Sequence, residues 1–82
     1  MIKIGRNTSG GITIATGMRD WIYDVEYNER KYGVEVSQDK KGRFLRKTVW
    51  YNKDDDLEII NIPQHIKTSV RKKLIEKIKN GM

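Results

Sequence analysis

This chain of 82 residues carries 17 Lys and Arg against 11 Asp and Glu, giving a formal net charge of +6, and it contains no cysteine. The lack of cysteine excludes a disulfide framework and a thiolate metal site. No run of about 18 apolar residues occurs, which excludes a membrane-spanning helix. Apolar residues do not cluster behind Met1, so we expect no secretory signal and a cytoplasmic protein.

The length predicts one domain over residues 1–82. We divide it into an N-terminal β-hairpin at residues 1–19, an antiparallel sheet at residues 20–62 and a C-terminal helix at residues 63–80. A monomer of this size buries only about 60–65% of its unfolded surface, so its core is thin and dimerisation would add to it.

The N-terminal hairpin is predicted from two short alternating segments. Ile2 and Ile4 alternate with polar or small residues, and Ile12 and Ile14 do the same. Between them, residues 6–11 are rich in Gly, Asn and Ser. Short alternating runs joined by such a stretch are typical of a hairpin.

Two further strands follow with a clearer pattern. Alternation places the large residues of 21–27 on one face of a strand, and those of 32–36 on one face of the next. The short polar connection at residues 28–31 favours an antiparallel hairpin. The residues predicted to share these faces are Trp21, Tyr23, Val25, Tyr27, Tyr32, Val34 and Val36.

The middle of the chain predicts a turn and two more strands. Residues 38–42 form the turn, in which Gly42 supplies a positive φ. Residues 43–51 alternate as a strand that is basic in its middle, and residues 57–62 form the last strand. Asp54-Asp55-Asp56, which lie between these strands, are expected in a solvated turn, because they lack the ligand spacing and the glycine of a calcium loop.

The last quarter predicts an amphipathic helix. Pro63 suits the first turn of a helix, and Asn80-Gly81 is a stop signal. Between them, apolar residues recur every four positions at Ile66, Val70, Leu74 and Ile78. The whole pattern therefore predicts an α+β fold, an antiparallel β-meander of four core strands plus the N-terminal hairpin, with one C-terminal helix that covers one face of the sheet.

A dense group of cations begins within the 38–42 turn and continues after it. Basic side chains neutralise phosphates, and aromatic side chains on an open sheet face stack on unpaired bases. This combination indicates single-stranded nucleic-acid binding. The cations are Lys40, Lys41, Arg43, Arg46 and Lys47, and the candidate stacking residues are Phe44, Tyr27, Tyr32 and Trp50.

Residues 27–46 resemble the repeat of the purine-rich-element-binding (PUR) family, a member of the whirly-like group. The best match is Lys41-Gly42-Arg43-Phe44-Leu45-Arg46. Over residues 21–79, the resemblance implies a four-stranded antiparallel sheet with a C-terminal helix, and single-stranded DNA or RNA as the ligand. PUR repeats work in pairs with exchanged helices, so the resemblance also implies a homodimer through the C-terminal helix, as in bacterial single-repeat members.

The resemblance also implies which residues bind. Carried over to this sequence, the binding surface would contain Asn28, Lys31, Lys41, Arg43, Phe44 and Arg46, and charge alone adds Lys40 and Lys47. The chain departs from the family in its extra residues 1–19, and in Gly33, where family members often carry Phe or Tyr.

Two other functions fit the same residues. A small basic chain with an exposed sheet face also suits a protein-interaction module, such as a mobile-element inhibitor or adaptor that binds a host protein. Compact metal-independent ribonucleases use Arg, Lys, Tyr and a single His, which is His65 here, but no spacing selects these residues. Because no P-loop or dinucleotide fingerprint occurs, we expect a non-catalytic protein without a cofactor or metal.

Overall fold

A computed structural model describes residues 2–53 and 61–81 of the chain. The elements are β1 (Ile2–Thr13), β2 (Met18–Tyr27), β3 (Arg30–Gln38), β4 (Val49–Asn52) and the helix α1 (Gln64–Asn80). Within the described ranges, the strands form one antiparallel sheet in the order β1-β2-β3-β4. The predicted α+β fold, an antiparallel meander followed by one C-terminal helix, is confirmed.

The core lies on one face of this sheet. Across β2 and β3, Tyr23 pairs with Val34 and Val25 pairs with Tyr32. Side chains of directly paired residues project from the same face of a sheet, and all four are buried. Trp50 of β4 pairs with Val34 and is 1% exposed, so it completes the core from the edge of the sheet.

Helix α1 covers this face with an apolar stripe. Val70, Leu74 and Ile78 recur every four residues and are buried in the same cluster as the strand residues. The helix begins directly after Pro63 and ends before Gly81, whose amide caps it, as the sequence predicts. In the part of the chain that the structure describes, no helix is both long enough and apolar enough to cross a membrane.

The prediction of a separate N-terminal hairpin at residues 1–19 is wrong, because residues 2–13 form one strand that pairs with β2. The glycine-rich stretch expected as its loop lies inside the continuous strand β1, and the turn that joins β1 to β2 is at residues 14–17. Gly10 lies so close to β2 that a Cβ there would be 2.9 Å from the carbonyl oxygen of Asp20. The register shifts on both sides of Asn7. Glycines and bulges of this kind bend a strand without ending it.

The strand predicted at residues 43–51 is much shorter in the structure. Only its last residues belong to β4, which extends to Asn52. Most of the segment before β4 forms a loop, with one isolated bridge from Phe44 to Gln38. Alternation alone does not make a strand when the backbone groups of that segment find partners elsewhere, as described below.

Two other predictions concern the connection to the helix. The last predicted strand, residues 57–62, falls mostly outside the described residues. Of its members Asn61 and Ile62 are described, and neither lies in a strand. The predicted acidic turn at residues 54–56 falls wholly outside the described residues.

The β2–β3 connection is a two-residue turn that strains one of its residues. Asn28 and Glu29 have φ values of 50° and 64°. Such turns favour Asn followed by Gly, and a left-handed conformation costs a side-chain-bearing residue about 1–2 kcal/mol. We therefore expect Glu29→Gly to raise the free energy of unfolding by about 0.5–1 kcal/mol, measured by urea titration. Glu29→Gln, which keeps the Cβ, is the control, and equal stabilisation by both would contradict this account.

Candidate functional site

The positive charge of the chain is concentrated in two segments. Residues 2–38, which contain β1 to β3, hold five basic and five acidic side chains. Residues 40–47, which we call the basic loop, hold five basic and no acidic side chains, and α1 holds six basic side chains and one acidic one. Three strands of the sheet are therefore neutral as a group, while the loop and the helix carry the positive charge.

Asp39 holds the start of the basic loop in shape. Its Oδ1 accepts hydrogen bonds from the backbone amides of Lys41 and Arg43, each at 2.9 Å. The bond from the Arg43 amide, with smaller help from the Lys41 amide and from the charges of both side chains, holds the pKa of the Asp39 carboxyl below its usual value. The carboxylate therefore stays ionised at neutral pH and keeps its role as an acceptor.

Arg71 of α1 fastens the second half of the basic loop to the helix. Its Nε donates to the carbonyl oxygen of Leu45 at 2.9 Å, and its Nη2 donates to that of Phe44 at 3.3 Å. A planar guanidinium that bonds two successive carbonyl groups sets both the position and the orientation of the loop. The loop and the helix thus form one continuous surface.

A pocket of about 230 Å³ opens where the basic loop meets the first turns of α1. Arg46 and Lys47 line it from the loop, and Lys67 lines it from the helix. None of these three side chains forms an ion pair with a carboxylate of the described residues. We call the five cations of the loop together with Lys67 and Arg71 the basic surface. Unpaired cations around one concavity attract an anion.

The aromatic side chains lie mostly on the core side of the sheet. Phe44, which the sequence predicts as a stacking residue, is half-buried with its ring centre 5.9 Å from that of Trp21. The ring packs against the core, so only part of its surface remains for contact with a base, and its predicted role stays a prediction. Six of the seven aromatic residues of the chain are buried in the core or pack against it: Trp21, Tyr23, Tyr27, Tyr32, Phe44 and Trp50.

The sheet face that α1 leaves open is rich in carboxylates. Asp20, Asp24, Glu26 and Glu35 share this face by alternation along β2 and β3. Burial, and then the nearby charge of Asp20, raises the pKa of Glu35. Among these acids, Asp24 forms an ion pair with Lys53. Lys3 and Lys31 lie on this face as well, each paired with Glu26 across the strands, so its charges are nearly balanced. The basic surface, which carries an excess of cations, is therefore the candidate site.

The predicted binding residues fall into separate places. The five loop cations lie together, and Phe44 packs against the core. Asn28 and Lys31 lie at the opposite end of β3 from the basic loop, about 20 Å or more away. The sequence prediction missed Lys67 and Arg71, which bring the helix into the site. Their positions on the polar side of α1 are visible in the helical pattern, but their closeness to the loop is not.

Comparisons with known proteins give no relative for this chain. No family model matches it, and neither a curated protein nor a solved structure does so. The resemblance of residues 27–46 to the PUR repeat therefore stays a prediction. Conclusions about function rest on the fold and the surface described above.

The contact between Arg71 and the loop leads to a prediction about stability. Arg71→Lys keeps the charge but loses the fork that reaches both carbonyl groups, so we expect the free energy of unfolding to fall by about 1 kcal/mol. Hydrogen exchange at the Leu45 amide, which donates to the carbonyl oxygen of Ser37, should become faster. Arg30→Lys, at the exposed first residue of β3, is the matched control. Unchanged stability and exchange in Arg71→Lys would show that the contact does not order the loop.

Proposed function

We propose that this chain binds nucleic acid without catalysing a reaction, by contacting phosphates with its basic surface. The observation that carries the proposal is the segregation of charge. Three strands are neutral as a group, while the loop and the helix together hold eleven basic side chains and one acidic one. Cations that neutralise phosphates release condensed counterions, and this release drives association.

The proposed mode of binding differs from the sequence expectation. Preference for single strands rested on stacking by aromatic residues, and six of the seven aromatic residues belong to the core side. Phosphate contacts are available in single-stranded and duplex forms of both DNA and RNA. We therefore expect binding of single-stranded DNA or RNA with only a weak preference over duplex.

The test is fluorescence anisotropy of labelled single-stranded and duplex oligonucleotides, titrated with salt. We expect the logarithm of the association constant to fall with the logarithm of the salt concentration, with a slope of about −0.7 for each phosphate contact in a single strand. The labelled RNA should stay intact in EDTA, as a non-catalytic protein requires. Absence of binding at low salt, where charge attraction is strongest, would overturn the proposal.

A second candidate function is binding to a host protein. Ile12 lies near the end of the edge strand β1 and is 58% exposed. Ile14 follows the end of this strand and is 94% exposed. Large exposed apolar side chains beside an edge strand suit contact with another protein. Capture of a protein partner that survives nuclease treatment, together with absence of oligonucleotide binding, would favour this function.

The homodimer through the C-terminal helix stays a prediction. The stripe formed by Val70, Leu74 and Ile78 packs against the sheet of the same chain. A dimer built on this stripe would require two copies to exchange their helices, as the PUR resemblance implies.

A further inference from the structure

The pocket between the basic loop and α1 is lined almost entirely by hydrogen-bond donors. Three of its residues are cations, which donate and do not accept. None of the described residues that line it is acidic. These residues are Arg46, Lys47, Thr48, Gln64, Lys67 and Thr68.

The two threonines of the pocket each accept a hydrogen bond from another side chain. Oγ1 of Thr48 accepts a hydrogen bond from the indole Nε1 of Trp50 at 3.1 Å. Oγ1 of Thr68 accepts one from Nε2 of Gln64 at 3.4 Å. A hydroxyl group that accepts in this way still has its own proton to donate. Because Trp50 is buried in the core, its hydrogen bond fixes the position of the Thr48 hydroxyl group.

We propose that this pocket binds a terminal phosphate monoester of a nucleic-acid strand. The inference rests on the proposed function and adds a specific end group to it. The ammonium groups of Lys47 and Lys67, with the guanidinium of Arg46, neutralise the phosphate. The hydroxyl groups of Thr48 and Thr68 donate to its oxygens.

The number of donors favours a monoester over the phosphodiester of the chain backbone. A backbone phosphodiester carries a single negative charge. A phosphate monoester carries about 1.5 to 2 negative charges at pH 7 and offers three strong acceptor oxygens. Three cations that form no ion pair with a described carboxylate, together with two hydroxyl groups, suit the higher charge and the additional free oxygen of the monoester better than a phosphodiester. The remaining cations of the basic surface, Lys40, Lys41 and Arg43, are left to contact backbone phosphates.

The test compares three oligonucleotides of one sequence, which carry a 5′-phosphate, a 3′-phosphate or no terminal phosphate. We expect at least one of the phosphorylated forms to bind about tenfold more tightly than the unphosphorylated form, since charge-assisted hydrogen bonds are the strong ones. The preferred end identifies which monoester the pocket accepts. Equal affinity for all three forms would overturn this inference and leave the proposed function standing. No binding of any form would overturn both.

Substitutions then locate the effect. Lys67→Gln should lower the affinity for the phosphorylated form more than the affinity for the unphosphorylated form, and so remove the preference. Lys47→Gln, at an exposed loop position, should do the same and serves where Lys67→Gln disturbs folding. Lys79→Gln makes the same change of charge in the last turn of α1 and should keep the preference. An equal loss of affinity for phosphorylated and unphosphorylated forms in Lys67→Gln and Lys47→Gln would show general phosphate contacts and overturn the pocket assignment.

Discussion

Replacement of Lys40, Lys41 and Arg43 by Gln is expected to weaken nucleic-acid binding about 100-fold near 0.1 M salt. Each of these side chains belongs to the basic loop and is exposed. Each phosphate contact with a single strand contributes about 0.7 to the salt slope, so the triple variant should lose about two units of slope. Anisotropy titrations at several salt concentrations measure both quantities in one experiment.

A second triple variant separates the basic surface from the net charge. This control removes an equal number of charges, by Lys3→Gln, Arg30→Gln and Lys31→Gln. These residues lie at the far end of the sheet, where Ile2 pairs with Tyr27 and Glu26 pairs with Lys31. We expect this variant to keep most of its affinity and its salt slope. It also tests the sequence-based assignment of Lys31 to the binding surface. An equal loss in both triple variants would mean that overall charge, and no particular surface, attracts the nucleic acid.

Trp50→Ala is expected to unfold the protein. Trp50 is 1% exposed, its ring lies edge-on to that of Tyr32 at 5.5 Å, and its indole nitrogen donates to Thr48. Removal of a buried Trp side chain costs about 3–5 kcal/mol, which is most of the stability of a small domain. Loss of the thermal transition in circular dichroism would show this directly.

Tyr51→Ala is the matched control for that substitution. Tyr51 neighbours Trp50 in β4 and lies on the opposite face of the sheet, where it is half-buried. We expect this variant to keep a cooperative thermal transition at a lower temperature. A Trp50→Ala protein that stays folded but no longer binds oligonucleotides would contradict our assignment, because it would make Trp50 a stacking residue.

The sequence predicts the central part of the fold because burial of one face imposes a period. The alternation through residues 21–36 places Tyr23, Val25, Tyr32 and Val34 on one side of the sheet, and the structure buries all four. The four-residue spacing in α1 predicts its buried stripe in the same way. These patterns are local, and a single buried face is enough to produce them.

The same reasoning fails where local signals compete with contacts made far along the chain. Glycines near Gly10 predict a loop, yet β2 approaches so closely there that a strand needs the glycine. Alternation near Phe44 predicts a strand, yet Arg71, 27 residues away, takes its carbonyl group. Neither the pairing of β1 nor the bond from Arg71 is visible in a window of a few residues.

By itself, the sequence determined the class of fold, the buried faces of β2, β3 and α1, and the presence of a cluster of cations at residues 40–47. The tertiary structure decided which surface those cations belong to. In the folded chain, Lys67 and Arg71 lie beside the loop and Lys31 lies at the far end of the sheet. Phe44 packs against the core. The physical reason is that periodicity reports on which side of one element is buried, whereas the neighbours of a loop depend on how separate elements pack.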